Sequence, residues 1–169
     1  MTNKTVFILQ NGKKLTKMKF CSYFEKKVFA CIKNYNLIKS KDKILTKSKL
    51  LFHILKKFTD RYGLNAPVLN GKHNKIATDL CLDDSAESII TFLITNKPNS
   101  LKDIKPNYKK EIYPFFFCSL KEIELYAKIK KIKLKKKKKT DISLWLDELE
   151  SKQKNVKNAI VNSLKKLDI

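Results

Sequence analysis

Asp83 and Asp84 stand side by side directly after KIATDLCL, residues 75–82, whose alternating Ile76, Thr78, Leu80 and Leu82 predict a strand. Asp84 and Glu87 then make a D-x-x-E capping box, followed by Ala86, Ile89, Ile90, Leu93 and Ile94 at helical period. The unit reads as strand, turn and helix, with two carboxylates at the turn. In α/β sheets, ligands gather at the carboxyl ends of strands, so a site belongs here. The two carboxylates stand where such a ligand would be met. They can equally be the acidic first turn of a helix, favoured by its dipole.

Little else offers catalytic chemistry. His53 and His73 fall in no ligand spacing such as H-E-x-x-H. Cys21, Cys31, Cys81 and Cys118 form no C-x-x-C pair and read as small buried hydrophobes. Gly12, Gly63 and Gly71 lie too far apart for backbone N–H groups to converge on a phosphate. That excludes the Walker A loop, the dinucleotide fingerprint and every double-glycine phosphate loop. No catalytic residue and no metal ligand is assigned.

Charge is the second signal. A net +22, from 38 basic and 16 acidic side chains, attracts polyanions. Arg61 is the one arginine; the rest are lysines, point charges rather than the planar forks that read bases. Weak, salt-sensitive RNA or DNA binding is expected, and specificity is not implied. Lysine, isoleucine and asparagine together also suit an AT-rich genome, so part of the charge is attributed to drift. The densest patch is Lys133, Lys135, Lys136, Lys137, Lys138 and Lys139. It reads as a phosphate-binding strip on tRNA or other RNA, as a solvated, drift-enriched loop, or as a nuclear-localisation-like stretch.

The elements that must position these groups are legible. Thr5 to Leu9 enters an Asn11-Gly12 hairpin turn, with Leu15 to Phe20 returning. A helix runs from Phe24 to about Tyr35. A second carries Leu50, Leu51, Ile54, Leu55, Phe58 and Tyr62, with Gly63 ending it and His53 off its apolar stripe. After a connector with Pro98, Pro106 and Pro114, Ser119 and Glu122 form another capping box. Two amphipathic helices follow, one with Ile142, Trp145, Leu146 and Leu149, the other with Val156, Ile160, Val161 and Leu164; Trp145 is expected to anchor the core. No apolar run approaches the roughly 20 residues of a membrane span. Val6 to Leu9 is too short for a signal core, so a soluble, cytoplasmic protein is expected.

Several blocks together resemble a known family. KIATDLCLDDSAESIITFLITN is similar to the strand–turn–helix segment of tRNA 2-thiolation enzymes of the PP-loop ATP-pyrophosphatase superfamily. IKPNYKKEIYPFFFCSLKEIELYAKI resembles the segment that follows, and WLDELESKQKNVKNAIVNSL the C-terminal helical block. Upstream, CSYFEKKVFACIKNYNLIKSKDKIL and LLFHILKKFTDRYGL resemble the elements on either side of that family's phosphate loop. The resemblance runs from about Cys21 onward, to the cytoplasmic tRNA 2-thiolation protein 1 family and its archaeal counterparts.

That resemblance implies an α/β fold with a reduced Rossmann-like sheet, flanking helices and a helical C-terminal block. It implies three segments: 1–40, a hairpin and helix remaining from a zinc-ribbon region; 41–134, a reduced PP-loop-type domain; and 135–169, the lysine-rich segment and C-terminal helices. The family adenylates the C2 oxygen of the wobble uridine with ATP, then replaces it with sulfur. ATP and magnesium are implied by the resemblance alone, with Asp83 and Asp84 matching the carboxylate pair. So are tRNA, a second thiolation subunit and a ubiquitin-like sulfur carrier as partners.

The departures carry weight. Where the family has Ser-Gly-Gly-Lys-Asp-Ser, only Leu-Thr-Lys-Ser-Lys stands between Ile44 and Leu50. The long middle segment with one catalytic cysteine is missing, and lysines replace the second. Asp79-Leu80-Cys81 stands for Gly-His-Asn, and Cys21 alone lies near the zinc module, so no zinc is expected. The expectation is a shortened member of the thiolation machinery that is not catalytically autonomous. The alternative is a lysine-rich RNA-binding protein, or a degenerate remnant, keeping the scaffold. Without the middle strands, an exposed sheet edge is expected.

Overall fold

A computed structural model describes residues 4–135 and 137–166 of the chain. Lys136 of the lysine run lies outside the described residues, as do the extreme ends of the first and last segments.

The Asn11-Gly12 turn joins β1 (Thr5–Ile8) to the antiparallel β2 (Lys14–Thr16). Gly12 takes φ 78°, which an L side chain adopts only under strain. The returning strand is shorter than expected, because α1 (Lys17–Asn34) starts at once. Phe20, Phe24, Val28 and Ile32 recur every four residues and are all buried. The helical period therefore reaches back through Phe20 and overrides the strand reading of residues 17–20.

β3 (Ile44–Leu45) leads through Thr46-Lys47-Ser48 into α2 (Lys49–Tyr62). Ser48 caps the helix by accepting from the Leu51 N–H, and Gly63 closes it at φ 62°. β4 (Lys75–Ala77) precedes α3 (Leu82–Ile94). A 3-10 turn, Pro98–Asp103, and the hairpin β5 (Asn107–Tyr108) with β6 (Glu111–Ile112) occupy the proline-rich connector. α4 (Leu120–Lys130), α5 (Asp141–Lys152) and α6 (Val156–Lys166) complete the chain.

The main sheet has the order β3-β4-β6-β5, with β3, β4 and β6 parallel and β5 antiparallel. This is the expected mixed α/β architecture, a small parallel sheet between helices. The β3 edge is not wholly bare: Val68 donates to the Ile44 carbonyl at 2.8 Å and accepts from the Thr46 N–H at 3.0 Å. β4 is shorter than the strand read over residues 75–82. The Thr78 N–H still reaches the Ile112 carbonyl, but the chain must then leave the sheet because Cys81 is already the N-cap of α3.

One hydrophobic core joins residues from Leu15 to Leu164. At its centre Phe24 packs on Tyr126 and Phe115, with ring centroids 4.6 and 5.7 Å away. Burying a side chain of this size contributes roughly 1.5–3 kcal/mol. Glu122 is fixed in this core by Ser119, Tyr23 and Lys27: it closes the expected S-x-x-E box by accepting from the Ser119 N–H at 2.8 Å. Trp145 does not anchor the core; it is 49% exposed. The inward stripe of α5 runs through Ile142, Leu146 and Leu149, and Trp145 is rotated off it. Among the described residues, no helix is long and apolar enough to cross a membrane.

Candidate functional site

The turn after β4 carries the two aspartates into the first turn of α3. The helix begins three residues earlier than the D-x-x-E reading placed it. Cys81 is the N-cap, and its N–H donates to Asp84 Oδ2 at 2.7 Å. Glu87, freed from that role, accepts from Thr140 Oγ1 at 2.5 Å. Carboxylates in this first turn meet the positive end of the helix dipole.

Asp83 and Asp84 line a cavity of about 350 Å³ at the carboxyl end of β4, together with Asp79, Glu87 and Glu124. The opposite wall is formed by Lys135, Lys137, Lys138 and Lys139 with residues of α5 and α6. The structure thus brings the aspartate pair and four residues of the lysine run to one place. Lys133 is exposed and lies outside the cavity lining.

The cations do not simply face solvent. Lys137 Nζ lies 2.5 Å from Asp84 Oδ2 and 3.3 Å from the Asp79 carbonyl. Lys139 Nζ lies 2.7 Å from Asp147 Oδ2. Lys157, only 7% exposed, donates to Asp83 Oδ1 at 2.5 Å and also to Asp147. Asp83 Oδ2 accepts the Leu120 N–H at 2.7 Å, tying α3 to the start of α4.

Burial alone would drag the Lys157 ammonium down, but hydrogen bonds to Asp147 and Asp83 outweigh it and raise its pKa. Lys137 is raised in the same way, with Asp84 overcoming desolvation. For Asp147 desolvation pushes up, and Lys139 and Lys157 more than reverse it. These groups are held in their charged forms by one another, which suits fixed ion pairs rather than the moving of a proton. Lys135 and Lys138 have no partner among the described residues, so their ammonium groups are available at the cavity wall.

The β3–α2 turn is built from the chain's own side-chain contacts. The Ser48 N–H donates to Thr46 Oγ1 at 3.2 Å, and the Leu51 N–H to Ser48 Oγ at 3.4 Å. Two donors that a phosphate loop would present are consumed by the chain's own side chains. His53 is half-buried, with its Nε2 atom lacking a partner among the described residues. Desolvation, then Lys57 and Lys130, holds its pKa low. His73 caps its own turn through the Gly71 carbonyl.

Sequence reasoning missed Lys157 and Asp147. Lys157 had a readable signal: it shares a helix face with Val161 and Leu164, both buried, so its ammonium needed a partner. Asp147 carried none, since nothing local distinguishes it from the other acids of α5.

No family model and no curated protein matches the sequence. Among solved structures it is similar to the U34-tRNA thiolase NcsA from Methanococcus maripaludis, determined with its 4Fe-4S cluster. The two share 16% identity at a TM-score of 0.73, over 96% of this chain and 84% of that one. At this identity the likeness establishes architecture, and the chain has the α/β fold of that thiolase.

Proposed function

We propose that the protein works in tRNA wobble-uridine 2-thiolation as a shortened member that does not complete the reaction alone. The observation that carries this is the fold correspondence over 96% of the chain, with Asp83 and Asp84 kept where α/β enzymes bind ligands. The thiolase of similar fold acts on U34 of tRNA, which makes tRNA the partner proposed for this chain.

The residues present do not fit the groups such an enzyme uses. Asp83 and Asp84 are neutralised by Lys157 and Lys137, leaving no open carboxylate pair for magnesium. The β3–α2 turn offers no phosphate cradle for ATP. Among the described residues, no three of His, Cys, Asp or Glu converge to hold a metal ion. Cys31, Cys81 and Cys118 are buried, and burial pushes each thiol up, so they are poor donors to an iron–sulfur cluster. Adenylation and sulfur transfer are therefore assigned to a second subunit, with a ubiquitin-like sulfur carrier delivering sulfur to it. The role left to this chain is to hold tRNA, in the cytoplasm.

A second reading rests on the free ammonium groups of Lys135 and Lys138 and the net +22: a lysine-rich RNA-binding protein that kept the scaffold alone. Nucleoside mass spectrometry of tRNA, with the protein present and depleted, separates the two. Loss of 2-thiouridine on depletion supports the thiolation role. Unchanged 2-thiouridine would eliminate it and leave the binding module.

A further inference from the structure

The segment entering α5, Lys137 to Thr140, runs along the cavity as a strap, with Lys137, Lys138 and Lys139 lining its wall. Its far end is anchored: Thr140 caps α5 and bonds to Glu87. Among the described residues, no backbone hydrogen bond ties Lys137, Lys138 or Lys139 to the body of the protein. What holds the strap's lysines down is side-chain contacts alone: Lys137 with Asp84 and, more distantly, the Asp79 carbonyl, and Lys139 with Asp147. Both lysines are about half-exposed, at 41% and 55% of their side chains.

Exposed pairs of this kind are weak and screened by salt. A nucleic-acid backbone offers a competing row of phosphates, and lysines that reach it release its condensed counterions. Lys157 is different in kind: buried and shared between two carboxylates, it stays where it is when the strap lysines leave. The cavity wall thus has one fixed cation, Lys157, and two exchangeable ones, Lys137 and Lys139, beside Lys135 and Lys138, which have no partner among the described residues.

We propose that RNA phosphates compete with Asp84 and Asp147 for Lys137 and Lys139, so that RNA binding lifts the strap and opens the carboxylate-lined cavity. The inference rests on the reading that this chain binds tRNA. The carboxylates act as internal decoys for the phosphate, and opening the cavity and binding RNA are one coupled equilibrium. Coupling is reciprocal, so removing a decoy tightens RNA binding by the factor that RNA loosens the strap.

The test is fluorescence anisotropy with labelled tRNA at low and physiological salt, on the full chain and on Asp84→Asn, Asp147→Asn and Glu124→Gln. Glu124 lines the same cavity without a partner among the described residues, so its variant makes the same charge change and breaks no latch. Asn keeps an oxygen for the Cys81 N–H, and a thermal melt checks that each variant folds. Asp84→Asn and Asp147→Asn are expected to tighten binding about threefold each, the scale of an exposed ion pair, and Glu124→Gln by clearly less. A second readout uses the unmodified protein: carbodiimide labelling of Asp84 and Asp147, read by mass spectrometry, rises when tRNA is added. Equal gains in all three variants, or labelling that falls with tRNA, overturns the latch alone. No tRNA binding at either salt overturns the latch together with the tRNA-holding role beneath it.

Discussion

Lys157 on α6 and Asp83 on α3 meet at 2.5 Å across 74 residues of chain, and this ion pair fastens the C-terminal helices to the α/β body. The Lys157 ammonium is shared with Asp147, so it separates two carboxylates that would otherwise repel.

Lys157→Met keeps the side chain's length and removes its charge. Asp83 and Asp147 are then left beside one another with their cation gone. Breaking a fully buried pair costs about 3–5 kcal/mol; with the carboxylates partly exposed here, a loss of about 2 kcal/mol is expected. Urea unfolding followed by circular dichroism measures it, and an unchanged midpoint would show that the contact does not stabilise the fold.

Alongside Asp147 and Glu25, Asp42 should contribute to acid lability; it joins the start of the β3–β4 ladder. Desolvation pushes its carboxyl up, but Lys75 at 2.7 Å, the Lys39 N–H and Asn74 outweigh this and depress its pKa. The folded state thus holds the charged form more tightly than the unfolded chain does. That stability is complete above the ordinary carboxyl value of 3.8 and drains away as pH falls below it toward the depressed folded value. Melting temperatures of the native protein and Asp42→Asn should therefore converge as the solution is acidified. Curves that separate further in acid would reverse the sign.

Thiol chemistry should be quiet. Burial raises Cys31 to about 12 and also pushes up Cys81 and Cys118, while Cys21 is half-buried with a milder rise. A chromogenic disulfide reagent at pH 8 is expected to find one slowly reacting thiol in the native protein and four in guanidinium. Anaerobic treatment with iron and sulfide should leave no bound iron. Three fast thiols, or a stable brown protein, would reopen the iron–sulfur reading.

Local chemistry was the legible part of the fold. The Asn11-Gly12 hairpin, the Ser119–Glu122 box and the Gly63 stop each depend on a few neighbouring residues, and each stands where the sequence placed it. The turn bearing Asp83 and Asp84 was readable for the same reason. Its helix start was misplaced because a cysteine at an N-cap carries no propensity signal, and Asp84 works backward to the Cys81 N–H rather than forward to Glu87. Trp145 was misread because a size-based expectation cannot show which way a residue beside the apolar stripe is turned. The ion pairs were out of reach. Whether Lys137 meets a phosphate or Asp84 is decided by how two helices and a strap close in space, and lysine spacing does not encode it.

The sheet's short parallel strands also set the order in which the molecule assembles. Ile44 meets Lys75, and Ile76 meets Glu111, each pair joined through long intervening helices and loops. Strands of two or three residues do not persist alone, and closing such loops costs entropy before any ladder bond repays it. The hydrogen bonds of α1 and α2 are local and need no such closure, so the β3-β4-β6 ladder is expected to be the late event on the folding path. Weakening β4 at buried Ala77, as in Ala77→Gly, should hasten unfolding in stopped-flow experiments and leave the refolding rate nearly untouched. A slowed refolding limb would instead place the sheet in the nucleus. The central strand that presents the two aspartates is thus the last part of the protein to acquire its shape.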